Sequence, residues 1–319
     1  MAVAEADVHP DEPDVFVRGT SLWRDAWRRL LKNKLAVFGM VVVILITIAS
    51  VLGPTLIHRV FGFTPDYIPT QEDLTRSFPP FTGPNGEFSW LHPMGTDNAG
   101  RDQLARVLQG GQISLFVGIL STLVSLLIGV SYGAIAGYVG GRLDNIMMRI
   151  VDVLYSLPYV IVVIVLLSMF RSQTPRGQLT LLFIALGSVS WLTMARIVRG
   201  QVLSLKNQEF VLAARATGVS NARIIFRHLV PNTLGPVIVY ATLTIPQIML
   251  TEAFLSFLGF GVQAPLASWG SLASDGIQNI AIFPWQLIFP GATMALTLFS
   301  LNFLGDGLRD ALDPQMRTV

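Results

Sequence analysis

Apolar side chains along this chain do not alternate with polar ones; they come in uninterrupted runs with polar stretches between them. The first run, Ala36 to Ile57, would rise about 33 Å as a helix, enough to cross a hydrocarbon core of about 30 Å. Others follow at Ile113 to Tyr138, Met147 to Phe170, Leu179 to Ala195, Leu234 to Phe257 and Trp285 to Leu304. The pattern predicts an all-α integral membrane protein with six transmembrane helices. Residues 1–35 read as a leader, 36–57 as the first span, 58–112 as an outer loop, 113–304 as a five-helix core and 305–319 as a tail. Inside the core, 196–233 and 258–284 read as connecting loops on opposite sides.

The basic residues orient these spans. Arg18, Arg24, Arg28, Arg29, Lys32 and Lys34 precede the first, Arg142 and Arg149 follow the second, and Arg196, Arg199, Lys206, Arg215, Arg223 and Arg227 lie between the fourth and fifth. With Arg309 and Arg317 in the tail, sixteen of the 22 Lys and Arg fall on one side. The positive-inside rule then puts both termini in the cytoplasm. A polar leader ahead of the first run, with no small-residue cleavage site, reads as preceding a retained anchor. The fourth run is short and rich in Ser and Gly. If it were re-entrant, the Arg-rich loop after it would lie outside.

Composition agrees with the pattern. Charged residues make up 13% of the 319, against about 25% in soluble domains, apolar ones 52%, and the mean hydropathy is +0.57. A net charge of +2 argues against a nucleic-acid partner. The absence of Cys removes disulfides, thiol nucleophiles and Cys-ligated metal. His9, His58, His92 and His228 are too scattered for a zinc motif, and no Gly-Lys pair exists for a phosphate-binding loop, so neither a metal nor ATP is expected on this chain itself.

Within the spans, Gly129, Gly133, Gly137 and Gly141 recur every fourth residue and predict a close helix seam, within the chain or between subunits. Pro246 predicts a kink, and Thr244, Gln247 and Thr251 form a polar stripe around it with Glu252 alongside. That stripe either lines a water-filled pathway or back-bonds to its own helix. A carboxylate such as Glu252, away from a helix end, faces a cavity or a partner. Asp152, three residues after Arg149, reads as an ion pair with it.

The loop between the fourth and fifth spans is far longer than a turn requires. QEFVLAARAT reads as a helix closed by Gly218 in the left-handed conformation, and Ser220 as the cap of a second helix from Asn221 to Leu229 that Pro231 stops. On that second helix Ala222, Ile225, Phe226 and Leu229 share an apolar stripe, which either lies on membrane lipid or docks in a groove of a partner.

Here the residues resemble a known pattern. Ala213-Ala214, Gly218, and then the block His228-Leu229-Val230-Pro231 are similar to the EAA loop of ATP-binding-cassette (ABC) importer permeases. Leu212 stands where that pattern has Glu, His228 where it has Ile and Val230 where it has Leu; Glu209 is one turn away. SLWRDAWRR from Ser21, MGTDNAGRDQLARVLQGGQISL at 94–115, SFLGFGVQAPLASWGSLASDG at 256–276 and LGDGLRDALDP ending at Pro314 resemble the C-type permease of the dipeptide/oligopeptide/nickel importer family. The resemblance implies a type I ABC importer permease fold with a cytoplasmic coupling helix, multi-pass in a bacterial or archaeal cytoplasmic (inner) membrane. It also implies a homologous B-type permease partner, two ATPase subunits that carry ATP-Mg, and an extracytoplasmic solute-binding protein. Peptides are the family's default cargo; nickel chelates, glutathione and opines use the same architecture.

Outside, Ala99 to Leu108 reads as a surface helix ahead of the second span. Asp97, Arg101 and Asp102 match the family's GTDxxGRD stretch and read either as a docking surface for the binding protein or as caps and ion pairs; Asp275 joins them as a docking candidate. Trp269 and Trp285 suit the membrane interface, and 259–284 reads as partly re-entering. Two other classes fit less well. A secondary transporter would place ionisable relays in its spans, and an intramembrane enzyme would need a constellation that Asp152 and Glu252, on different helices, do not make.

Overall fold

Asn33 sets the first boundary. Its side chain accepts from the backbone N–H groups of Leu35 and Ala36, capping α2 (Lys34–Phe61) and separating it from the short α1 (Leu22–Lys32). This computed structural model describes residues 22–69, 77–83 and 85–312, and from Gln103 onward the chain is nearly continuous helix. His9, Arg18, Ser21, Arg76, Pro314 and Arg317 lie outside the described residues, as do the ends of the leader and tail.

Asp102 caps α3 (Gln103–Val139) by accepting from Ala105 N–H. The expected surface helix at 99–108 is therefore not separate: helix begins at Gln103 and runs unbroken through the second span. After the positive-φ pair Gly140 and Gly141 come α4 (Gly141–Ser156) and α5 (Tyr159–Met169). The third apolar run is thus not one straight helix. Pro158 has no N–H to continue the ladder and holds Leu157 extended, and the two helices meet at 85°.

Thr174 caps α6 (Pro175–Leu205), which has Pro175 in its first turn. At 31 residues it is long enough to cross, so the short fourth run is the middle of a longer helix. The loop segment follows as α7 (Glu209–Ala216), α8 (Asn221–Arg223), a π-helical stretch (Ile224–Leu229) and α9 (Val230–Asn232). The chain closes with α10 (Leu234–Phe257), α11 (Trp269–Gln278) and α12 (Trp285–Leu312). Among the described residues, five helices are long and apolar enough to cross a membrane, or six if α4 and α5 form one bent span.

The core sits between α3 and α6, the most extensively packed pair. Half of the most apolar stretch of each is buried, against 17% in α2, whose outward face of Leu45, Leu52, Leu56 and Val60 is exposed as lipid contact requires. The glycine seam joins this central pair. A methyl group at Gly129 would lie 2.6 Å from Met194 Cβ, one at Gly137 2.9 Å from the Arg199 carbonyl oxygen, and one at Gly133 closer still to the Ala195 carbonyl oxygen. The seam is therefore within the chain. Gly141 does not belong to it: its φ of +59° lies past the end of α3, and nothing stands near it.

Charges near the end of the seam clamp α4 onto α6. Arg199 donates to both carboxylate oxygens of the buried Asp144, at 2.6 and 2.7 Å. Asp152 accepts from Arg196 at 2.8 Å, so its partner comes from α6 and not from Arg149 on its own helix. Arg196 and Arg199 are thus inside α6, not in the loop.

Candidate functional site

Three clusters carry the residues that the sequence singles out. The first is the α7–α9 segment. Gly218 takes a φ of +78°, and Val219 N–H bonds back to the Ala214 carbonyl, closing α7 as a left-handed cap does. Ser220 occupies the cap position of α8, but its side chain makes no capping bond. Pro231 does not stop the second limb, which stays helical to Asn232. Lacking an N–H, Pro231 cannot bond to the Arg227 carbonyl, and the turns before it widen. Val230 N–H reaches Ile225 O, five residues back, and Asn232 Nδ2 donates to His228 O at 2.6 Å.

The wider turn splits the expected stripe. Ile225 and Leu229, with Ile224, turn inward onto Val211 and Ala214 of α7 and Val202 of α6. Ala222 and Phe226 remain exposed, flanked by exposed Arg223 and Arg227, and Leu212 and Ala213 are exposed on α7. The surface left for a partner is therefore Ala222 and Phe226 beside α7, rather than four residues in a row.

The second cluster is a cavity of about 490 Å³ between the α4–α5 bend, α6 and α10. Thr244, Gln247 and Thr251 line it, and both threonines also back-bond, to Tyr240 O at 2.8 Å and Gln247 O at 2.9 Å. Back-bonding and lining a cavity thus coexist, because a threonine can spend its proton on its own helix and still present its oxygen to the cavity. Tyr155, Ser156, Tyr159, Ser190, Thr193 and Tyr240 complete the polar lining, which among the described residues includes no carboxylate, Lys or Arg. Sequence reasoning missed these because the bend at Leu157–Pro158 brings Tyr155, Ser156 and Tyr159 opposite Ser190 and Thr193 of α6 and Tyr240 of α10. At the α4 edge, Arg196 sits 4.2 Å over the Tyr155 ring while holding Asp152.

Glu252 does not line this cavity. It is buried on the other side of α10, where its Oε1 accepts from Ser256 Oγ at 2.8 Å and Ser268 Oγ at 2.7 Å, joining α10 to the start of α11. Trp269 likewise is no interface anchor. It is fully buried, donating its backbone N–H to Ser114 and its indole Nε1 to Val107 O at 2.9 Å.

The third cluster is outside, where Asp97, Arg101, Asp102 and Asp275 were expected. Asp97 accepts from the backbone of Ala99 and Arg101, from Arg101 Nε at 2.7 Å and from Arg106 Nη1. Asp102 caps α3, and its Oδ2 lies 2.8 Å from His92 Nδ1. Asp275 of α11 lines a hollow with Asp97, Arg101 and Arg106. Asp275 is exposed at one side, yet desolvation in the hollow raises its carboxyl above the usual aspartate value and Asp97 adds to the rise, while Arg106 and Arg101 oppose it. Trp285 Nε1 and Gln286 Nε2 both donate to Thr96 O, tying the start of α12 to this loop. Caps and ion pairs account for Asp97, Arg101 and Asp102 without a partner. Among the described residues, no group of three or more His, Asp or Glu is arranged to hold a metal.

Against this geometry stand the comparisons with known proteins. Residues 129–318 match the family described as binding-protein-dependent transport system inner membrane component, and residues 21–80 match the N-terminal TM domain of oligopeptide transport permease C. The oligopeptide transport system permease protein OppC of Haemophilus influenzae is 47% identical, covering 95% of this chain and 92% of that protein. OppC of Bacillus subtilis is 44% identical, covering 96% and 94%. The dipeptide transport system permease protein DppC of B. subtilis is 46% identical, covering 93% and 87%. Among solved structures, the inward-facing MetNI methionine ABC transporter aligns with a TM-score of 0.49 at 17% identity, over 65% of this chain and 96% of that one.

Proposed function

The chain belongs to the family of binding-protein-dependent transport system inner membrane components, and from that membership we propose that it is one of two permease subunits of an ATP-driven importer of di- and oligopeptides. The observation that carries the cargo is the near full-length identity of 44–47% to relatives named for oligopeptide transport. Both termini are cytoplasmic, and a homologous permease packs beside this one. Two ATPase subunits hold ATP-Mg below the membrane, and a solute-binding protein delivers the peptide from outside.

In this reading the ATPases grip the α7–α9 segment at Ala222 and Phe226. Ala213, Ala214, Gly218 and Pro231 shape that segment, and Ile225 and Leu229 anchor it to the body. The cavity lined by Thr244, Gln247 and Thr251 is this chain's share of the pathway. Its hydroxyl, amide and aromatic groups can exchange hydrogen bonds with peptide amides, and the absence of fixed charge avoids trapping cargo on a buried ion. A hollow of about 670 Å³ near Arg171, Gln178 and Gln263, at the outer ends of α5 and α6, is the entry. Docking of the binding protein falls to Asp275 and the surface around Asp97, Arg101 and Asp102.

The test is reconstitution. The chain, purified after coexpression with its neighbouring genes, is expected to bring the ATPase subunits with it. In proteoliposomes it should take up peptide only with ATP and the binding protein present. Uptake by the chain alone, driven by a proton or sodium gradient, would refute the proposal.

A further inference from the structure

Tyr138 is the penultimate residue of α3 and is 8% exposed. Its hydroxyl donates to Asn221 Oδ1 at 2.9 Å and accepts from Arg215 Nε at 3.3 Å, while the Arg215 guanidinium lies 5.0 Å from the ring centroid. Arg215 belongs to α7 and Asn221 opens α8, so one hydroxyl holds both limbs on either side of the Gly218 turn. The ring packs with Val202, Val211, Ile224, Ile225 and Leu229. Next to it, Lys206 Nζ donates to Gly137 O at 3.0 Å.

The joint beyond Tyr138 gives these bonds a direction. Gly140 and Gly141 have φ of +67° and +59°, and at this pair α3 ends and α4 begins. A methyl group at Gly141 would meet nothing within 4 Å, while one at Gly140 would lie 3.2 Å from Lys206 Nζ, and beyond the joint Arg199 ties Asp144 of α4 to α6. The far end of α4, from Leu154 to Ser156, walls the inner cavity. Apolar side chains can slide over one another, whereas a hydrogen bond fixes register. The two hydrogen bonds of Tyr138 therefore fix the register of the α7–α9 segment against the end of α3, where α4 begins.

We propose that Tyr138 is the positioning residue that carries motion of the α7–α9 segment to α4 and so to the cavity wall. This rests on the reading that the ATPases bear on that segment. Phenylalanine keeps the ring in its packing and removes both hydrogen bonds, and the exposed Asn221 amide can pair with water, so Tyr138→Phe leaves no buried orphan.

The experiment compares wild type with Tyr138→Phe, Asn221→Ala and the double variant. Each is purified as the full complex and reconstituted with binding protein and a tripeptide, and peptide uptake per ATP hydrolysed is measured. In Tyr138→Phe the ratio should fall roughly fivefold, the factor carried by one net hydrogen bond, with the ATPases retained and the melting temperature within a few degrees of wild type. Asn221→Ala, which removes one of the two bonds, should give a smaller fall, and the double variant little more than Tyr138→Phe alone. An unchanged ratio in Tyr138→Phe overturns the inference. So does a lower melting temperature with the ratio intact, which would make Tyr138 merely structural. If the wild-type chain retains no ATPase, it is the functional reading beneath the inference that fails.

Discussion

The α3–α6 seam and the wall formed by α4, α5 and α10 are built on opposite principles. The seam has glycine where a methyl group would strike the opposing backbone or Met194, so it has one way to fit. The wall is broken at Leu157–Pro158, is interrupted by Pro246, and surrounds an open volume of about 490 Å³. Its threonine hydroxyls bond within their own helix and not across the gap. The difference separates a close-fitting frame from a surface with room to rearrange.

The contrast between frame and wall is most exposed to failure at Gly133. Gly133→Leu forces a side chain into the Ala195 carbonyl and should cost more than the ~1–3 kcal/mol of ordinary overpacking, so that detergent extracts yield little folded chain by size-exclusion chromatography. Gly141→Ala should cost only the ~1 kcal/mol of a left-handed alanine, because the space there is open. Equal losses at the two positions would mean that the seam is not what makes the frame rigid.

Glu252→Ala comes next. It leaves the buried Ser256 and Ser268 hydroxyls without their acceptor, at ~1–3 kcal/mol, and thermal unfolding should show the loss even where transport per folded molecule is unchanged. Gln247→Ala should do the reverse. It changes an exposed wall residue, so stability should stay within ~0.5 kcal/mol while the apparent KM for peptide uptake shifts.

The smallest effect is expected at Asp275. Its folded-state pKa is raised, chiefly by desolvation in the hollow, although the residue keeps contact with water. The stability it contributes is therefore present below the ordinary aspartate value of about 4 and is lost as pH rises through the folded value. Asp275→Asn should remove that loss, raising the melting temperature slightly at neutral pH and flattening its fall from acid to neutral. If binding-protein-stimulated uptake survives charge reversal at Asp275 unchanged, its role in docking fails.

The frame was more legible in the sequence than the wall, for physical reasons. Apolar runs and the four-residue glycine period are properties of single helices, and they mark the helices that cross and the face on which two of them meet. The wall depends on where breaks fall. Pro158 sits inside an apolar run that reads as continuous, yet it turns the chain through 85° and brings Tyr155 and Tyr159 to Thr244. The α7–α9 segment was hidden for a different reason. An α-helical period put Ala222, Ile225, Phe226 and Leu229 on one face, but the widened turns before Pro231 send two inward and leave two out. Glu252 was recognised as needing a partner, and sequence spacing gave no sign that Ser268, across the α10–α11 connection, would supply one.

The proposed mechanism depends above all on ATPase subunits bearing on the exposed half of that split stripe. Because the chain has no Cys, a single introduced thiol gives an unambiguous cross-link. Ala222→Cys, Phe226→Cys and Leu229→Cys chains, each assembled with its ATPases and treated with a short thiol-to-amine cross-linker, discriminate by position. An adduct of permease and ATPase is expected from 222 and 226 and none from the inward-facing 229. No adduct from either exposed position, with the complex intact, would contradict the mechanism.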